Sequence, residues 1–547
     1  MTRNGSWMWM VANVGLLACT PRATSTAPPE VTPEARPPEV QTAAPTHEAP
    51  VASPAPAGGR ELQFELVVQY ADNMIGGEKV HLRSYNGKLV GPTIRARPGD
   101  TLNVHLINRL PANPPTPNNR EVEAAELARD MTRGVRPLLT INIPHNFNTT
   151  NLHTHGLHVS PAGNSDNVLL AIAPGEKFFY EIKIPPDHPP GTFWYHPHVH
   201  GSTSLQVGSG MEGALIIEGD IDRVPAIAAA KERIFVFQQL PFAHKDNAAV
   251  KEEKAGQLES FNRAFLNGAW ERGGWRTIIS GELEPVIEMR PGEVQRWRFI
   301  DAGAEEALHV KIEAADKTTV PQWLIAMDGI TTGRIEARDV IDLYPGYRAD
   351  VLVRAPDKEG EYRIVDEETP QVTSLLGIKE TRKPLARLRV AGAPVQMALP
   401  QESELAPLAP YRSIADAEVT GQQKVHFGVK ISPKNSPYPF ALDGKGFDPA
   451  AAPRKLKLGG VDEWTVTSEL IGPHLFHIHV NPFEVIEPDG RRYWKDTLFV
   501  KGGGTAKLRT RYQRYVGQFV IHCHILPHED LGMMQVVEVE PPTKHVH

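Results

Sequence analysis

The chain has 547 residues, 41% of them hydrophobic and 22% charged, which suits about three or four folded domains and is too long for a single core. A formal net charge of -7, with no long basic run, gives no reason to expect nucleic acid as a partner. Two cysteines, Cys19 and Cys523, exclude a disulfide framework, and 49 prolines with few helix-favouring runs lean towards an all-β body rich in turns.

Residues 1–19 begin with a basic residue, Arg3, continue through an apolar stretch from Trp7 to Leu17, and end in Leu16-Leu17-Ala18-Cys19. This reads as a secretory signal, too short to be a retained spanning helix. Its end resembles a bacterial lipobox, so Cys19 is expected to carry lipid and to tether an exported, periplasmic or cell-surface protein to a membrane. Residues 20–59 hold ten prolines and no aromatic residue. Such a segment cannot bury enough apolar area to offset its ordering entropy and should act as an extended spacer.

Strand signals begin near Leu62. Leu102, Val104 and Leu106 alternate with polar neighbours after the turn Arg97-Pro98-Gly99-Asp100. A similar turn, Arg290-Pro291-Gly292-Glu293, precedes Val294–Ile300, and Gly459-Gly460-Val461-Asp462 precedes Glu463–Val466. A second turn recurs as Pro174-Gly175-Glu176 and Pro345-Gly346-Tyr347, each before an alternating run. Repeats spaced this widely point to duplicated β-sandwich domains, placed at 60–222, 223–400 and 401–547, with Ala391–Pro410 as a linker. The stretch 111–137 interrupts the first domain, and Val122–Arg133 within it has the composition of a short surface helix.

Of 22 histidines, twelve fall in four short segments: NLHTHGLH (151–158), WYHPHVHG (194–201), HLFHIHVNPF (474–483) and IHCHILPHEDLGMM (521–534). Four such clusters are hard to explain without metal, because neutral imidazole is the commonest protein ligand of borderline transition metals. Residues two apart on a strand share a face. His153 with His155, His196 with His198, His477 with His479, and His522 with His524 are therefore same-face pairs able to fill one multinuclear site.

The same parity separates a second site. Cys523 lies between His522 and His524 and points the other way, and His474 is out of phase with His477. With His528 and Met533 they form a His₂Cys set with an axial thioether, the ligand set of a blue electron-transfer copper. Zinc accepts Cys and His, but a thioether as fourth ligand argues for copper. The two sites would be joined along one strand, on the order of 10 Å apart at about 3.3 Å per residue.

With these residues in view, the chain resembles the multicopper oxidases, the family of laccases, bilirubin oxidases and cuprous oxidases. The resemblance implies three cupredoxin-like Greek-key β-sandwich domains, type 1 copper in the third, and four copper ions. It implies type 2 copper on His153 and His477 and the type 3 pair on His155, His196, His198, His479, His522 and His524. His474, Cys523 and His528, with Met533 axial, would hold type 1, and His528 would lie where reducing substrates dock. It also implies an acid near the trinuclear cluster at Asp166 and a proton-supplying carboxylate at Glu529. His158 and His200 extend their segments but fall outside the ten filled histidine positions. Many members carry Trp between the first two histidines, where this chain has Thr154, which faces away from the metal side.

The expected activity is four one-electron oxidations of a small reducing substrate at type 1 copper, coupled to reduction of dioxygen to water. Eleven methionines without a Met-rich tract beyond Met533-Met534 favour a phenol or aromatic amine over Cu(I). A non-catalytic cupredoxin copper binder would not need the complete ligand set. A copper nitrite reductase would be a shorter, two-domain chain with no use for the His-Cys-His element.

Overall fold

The computed structural model describes residues 59–116, 142–240, 258–265, 277–375, 377–429, 440–470 and 472–542. The expected signal, Cys19, nearly all of the proline-rich spacer and the Val122–Arg133 tract lie outside the described residues. Among the described residues, no helix is long and apolar enough to cross a membrane.

The body is all-β. Among the described residues, its strands form six sheets, which fall into three pairs along the chain: two four-stranded sheets between Glu61 and Ile217, two six-stranded sheets between Lys231 and Val390, and a six- and a five-stranded sheet between Gly421 and Glu540. Each pair repeats one uncommon step, a parallel pairing early in an otherwise mostly antiparallel sheet. Glu61–Ile75 pairs in parallel with Thr101–Asn108, Lys231–Gln239 with Val294–Asp301, and Gly421–Val429 with Val461–Ser468. The second strand of each parallel pair follows one of the three recurring turns. In those turns Gly99, Gly292 and Gly459 take φ of 93°, 73° and 80°, a left-handed backbone that glycine adopts without a Cβ clash.

Packing follows the alternation. Leu102, Val104 and Leu106 are buried in a core they share with Ile94, Phe193 and Leu215 of the facing sheet, so the two layers close as a sandwich. The cores of the second and third pairs run together through residues such as Trp297, Tyr347, Phe476 and Leu498. The Pro/Ala-rich stretch expected to be a linker is docked: Met397, Leu399, Leu405 and Leu408 pack against Val294, Ile325 and Leu352 of the middle pair. Its scattered apolar residues, too few to signal an element, are enough to seat it.

Candidate metal centre

The four histidine segments close on one another between the first and third pairs of sheets. In the first pair, His153–His155 runs antiparallel to Gly191–His196, which sets His153 opposite His196. In the third, His474–Ile478 runs antiparallel to Gly517–Cys523, which sets His477 opposite His522 and Phe476 opposite Cys523. The two surfaces meet ring on ring: His153 stacks on His479 and His155 on His477, each with centroids 4.1 Å apart. All eight same-face histidines are buried.

The parity argument names the eight histidines that the structure brings together, by a path that holds only in part. His153 and His155 share a strand, but the other strands end at His196, Ile478 and Cys523, leaving His198, His479 and His524 in the loops beyond. Two of these carry the pairing one step further: the His479 N–H donates to the Val520 carbonyl at 3.2 Å, and the His524 N–H donates to the Leu475 carbonyl at 2.8 Å. Val480 then takes φ of 47°, a costly value for a β-branched residue, and turns the chain away.

The ring nitrogens show what the eight histidines are set up to bind. Nδ1 of His196 faces the Pro197 carbonyl at 2.9 Å, Nδ1 of His477 faces the Asp496 carbonyl at 2.7 Å, and Nδ1 of His153 faces Asp166 at 3.0 Å. An acceptor at Nδ1 places the hydrogen there and leaves Nε2 as a bare lone pair. Nε2 of His153, His196 and His477 are buried without a hydrogen-bond partner. Nε2 of His198 and of His479 each stand 3.2 Å from Nε2 of His522. Lone pairs converging in a buried space have no stable arrangement without a cation among them. The donor atoms of His153, His155 and His196, of His153, His477 and His479, and of His198, His479 and His522 form three groups, each within 4.8 Å. Burial and the neighbouring rings hold His153, His155, His196, His479 and His524 well below the ordinary histidine range, so they are neutral and fit to ligate.

A second group stands on the opposite face. Cys523 Sγ lies 3.6 Å from Nδ1 of His474 and 3.8 Å from Nδ1 of His528, and the two nitrogens are 3.3 Å apart. Met533 is fully buried, and its carbonyl accepts the Cys523 N–H at 3.0 Å, which brings the two residues side by side. Burial pushes the Cys523 thiol up to about 12. The set of one sulfur and two Nδ1 atoms, with a thioether residue adjacent, fits copper. Of the twelve expected ligands, only His528 is not fully buried, and Phe440 stacks on its ring at 4.0 Å.

Both expected acids are buried against the histidines. Asp166 accepts the Thr154 N–H at 2.9 Å, and burial raises its carboxyl to about 7. Glu529 places one oxygen 3.3 Å from Nδ1 of His198 and the other 3.1 Å from Nδ1 of His522, while the Thr203 hydroxyl donates to it at 3.2 Å. Burial raises it, too, to about 7. His158 and His200 stay outside the convergent set. His158 donates from Nδ1 to the Val480 carbonyl, and Nε2 of His200 meets the Asn142 side chain at 3.0 Å.

Sequence reasoning missed two further acids. Asp496 lies 3.3 Å from Nε2 of His155 and is gripped by Arg348 at 2.8 and 2.5 Å. Asp530 accepts the N–H groups of Gly201, Thr203 and Ser204 at 2.8, 3.1 and 2.8 Å, tying the short helix Leu526–Asp530 to the second histidine segment. Asp530 adjoins Glu529 and could have been flagged with it. Asp496, 341 positions from His155, gives no local signal.

Three sequence models described as multicopper oxidase match residues 67–116 with 139–221, 243–383 and 418–543. The chain is 23% identical over 470 residues to a multicopper oxidase of Staphylococcus aureus, covering 83% of each. It is 24% identical over 487 residues to a laccase of Haloferax volcanii, covering 84% of this chain and 78% of that one. Among solved structures, a multicopper oxidase of Campylobacter jejuni, described as a metallo-oxidase, aligns with a TM-score of 0.64 at 24% identity over 89% of this chain and 96% of that one. A laccase-like oxidase of Ochrobactrum sp., described as active on lignin model compounds and lignosulfonate, aligns with a TM-score of 0.63 at 21% identity over 89% and 100%.

Proposed function

Because the chain belongs to the multicopper oxidase family, and is thereby a copper oxidoreductase using dioxygen, we propose that it takes single electrons from a small phenol or aromatic amine beside His528 and passes them along the Cys523 strand to dioxygen at the eight-histidine cluster. The observation that carries this reading is the His522-Cys523-His524 element. Its thiol belongs to one donor group and His522 to another, while Nε2 of His524 stands 3.1 Å from Nδ1 of His155 in the eight-histidine cluster, so the two candidate centres are linked by a few covalent bonds.

In this reading His474, Cys523, His528 and Met533 would hold type 1 copper, His153 and His477 type 2, and the remaining six histidines the type 3 pair. Bound there, four copper ions would supply the one-electron couple facing the substrate and the multi-electron reduction of dioxygen. The protein's own part is to fix ligand geometry, keep water and substrate apart from the oxygen site, and hold protons. His528 suits the docking role because its imidazole is the ligand nearest solvent, and Phe440 offers an aromatic face beside it. Reduction of dioxygen to water consumes protons, and Glu529 is set to hold one: it is buried and touches both His198 and His522. Asp166 sits on His153.

Oxidation of Cu(I) is the second reading, favoured by the description of the Campylobacter jejuni neighbour as a metallo-oxidase. Against it, Met533 and Met534 are both buried and offer no exposed thioether surface at His528. Oxygen-electrode assays of the copper-loaded protein with a phenol and with Cu(I) separate the two. Turnover with Cu(I) alone overturns the phenol reading, and a loaded protein with no blue absorption band overturns the type 1 assignment. We also read residues 1–19 as an export signal with Cys19 as the lipid attachment point. Membrane fractionation of the native protein against a Cys19→Ala variant tests this, and an unchanged distribution overturns it.

A further inference from the structure

The middle pair of sheets supplies none of the twelve expected ligands, yet it reaches the eight-histidine cluster at two neighbouring points. The first is Gly346, in the turn before the strand Arg348–Arg354. Its φ is 90°, and a Cβ there would stand 3.0 and 3.1 Å from Cε1 and Nδ1 of His524 and 3.2 Å from Cε1 of His155. The same turn recurs in the first pair of sheets, where a Cβ on Gly175 would meet nothing within 4 Å. The conformational need for glycine is common to both copies; the spatial need belongs only to the one lying on the histidine rings.

The second point is Arg348, which is fully buried. Its Nη1 donates to the Gly346 carbonyl and to Asp496 Oδ1, both at 2.8 Å. Its Nη2 donates to Asp496 Oδ2 at 2.5 Å and to the Asp328 carbonyl at 2.9 Å, and its Nε donates to the Thr192 carbonyl at 3.2 Å. One guanidinium thus joins all three pairs of sheets: Thr192 from the first, Asp328 and Gly346 from the second, Asp496 from the third. Asp496 carries the grip onward. Its side chain lies 3.3 Å from Nε2 of His155, its carbonyl faces Nδ1 of His477 at 2.7 Å, and the Thr497 hydroxyl donates to its Oδ1 at 2.9 Å. His155 and His477 are the rings that stack at 4.1 Å across the junction of the first and third pairs.

We propose that Arg348 is a positioning residue for the oxygen-reducing site: through Asp496 it sets the orientation of His155 and His477, while Gly346 backs His524. The chemistry requires arginine. A planar fork meets both carboxylate oxygens at once and still has N–H groups for three carbonyls, whereas a lysine ammonium has three donors on one nitrogen and cannot span all five acceptors. Partners that orient metal-binding histidines typically change metal affinity or activity by about 10–100-fold when replaced. This inference rests on the copper reading above, but its failure can be told from the failure of that reading.

The test uses the copper-loaded full chain with Arg348→Lys, Arg348→Met and Gly346→Ala. The measurements are copper per chain, the blue absorption band, the share of copper visible by electron paramagnetic resonance, and copper retained against a graded chelator. Unfolding of the copper-free proteins serves as the folding control. In Arg348→Lys the blue band per folded chain stays at the parent level, because His474, Cys523 and His528 are untouched. Copper at the eight-histidine cluster is lost at about 10–100-fold lower chelator concentration, and the resonance-visible share changes. Arg348→Met loses more, so that lysine gives partial rescue. Gly346→Ala shows the same signature while keeping every charge, since the added methyl presses on His524. If Arg348→Met does not fold, the lysine and alanine variants decide. Folded variants that hold cluster copper as tightly as the parent, with an unchanged resonance signal, overturn the proposal. A parent chain without a blue band would instead overturn the copper reading.

Discussion

The substitution Asp166→Asn replaces one oxygen of a buried side chain by an amide nitrogen and hardly alters its volume. In the native chain the two carboxylate oxygens lie 3.0 and 3.1 Å from Nδ1 of His153, and Oδ1 also accepts the Thr154 N–H at 2.9 Å. An acceptor at Nδ1 keeps the ring hydrogen there and leaves Nε2, which has no partner, as the metal-facing lone pair. In the variant the amide oxygen must stay with the Thr154 N–H, because turning the amide over would set donor against donor in a buried place. The amide N–H then faces Nδ1. Either His153 keeps its hydrogen on Nδ1, where the amide oxygen at 3.0 Å still accepts it but the amide N–H opposes it from the other position, at a cost of up to about 1–3 kcal/mol, or the hydrogen moves to Nε2 and cancels the lone pair. Both outcomes weaken the His153 site by about 10–100-fold, or about 1.4–2.8 kcal/mol. Copper per chain and the chelator concentration that removes it measure this directly, while the blue band reports whether the distant Cys523 group is intact. Wild-type copper retention and full oxygen consumption in Asp166→Asn would refute the tautomer argument.

Three further outcomes follow from the geometry. Cys523→Ser should abolish the blue band and all substrate-driven oxygen uptake while the eight-histidine cluster keeps its copper; retained oxidase activity would break the electron path. Glu529→Gln should lower oxygen consumption by about 10²-fold or more, because the group placed to hold a proton between His198 and His522 no longer ionises, while substrate still bleaches the blue band at the parent rate; unaltered turnover would remove Glu529 from proton delivery. In the middle pair of sheets, burial raises Asp366 from its ordinary 3.8 to about 6, although it accepts the His309 N–H. A carboxyl raised in the folded state costs nothing below pH 3.8, and its penalty grows as pH rises, levelling at about 3 kcal/mol above pH 6. Asp366→Asn should therefore resist denaturant better than the parent at pH 7 and lose that advantage by about pH 4; a gain independent of pH would show that desolvation of the carboxylate is not the cause.

The ligand constellation was legible because its pairs are short in sequence and because strands alternate. His153 with His155 needs only a period of two, and Cys523 sits between two histidines whatever the rest of the chain does. His198, His479 and His524 join the other five rings although each lies past the end of its strand. For His479 and His524, one more inter-strand hydrogen bond keeps the pleat going for the residue that matters. The recurring Pro-Gly turns were also readable, since a left-handed φ at Gly99, Gly292 and Gly459 leaves a residue-type signal. The docked stretch after residue 390 was not, because its apolar residues have no period and acquire a partner only once the middle pair of sheets exists.

What orients the ligands was illegible for a different reason. Asp496 reaches His155 across 341 positions, and Arg348 reaches Asp496 across 148. Neither residue stands in a motif, and acidic or basic residues of the same kinds are scattered through the exposed surface. Their role arises only from being buried together where three pairs of sheets meet. An unpaired charge there would be costly, so the carboxylate and guanidinium must find each other and must satisfy the nearby carbonyls. That requirement ties the fold to the site. Six sheets packed in the right order bring Thr192, Asp328 and Asp496 to one guanidinium, and the same assembly sets the angle of His155 and His477. A three-part architecture in which the middle part supplies no ligand is therefore consistent with a site whose precision depends on that middle part.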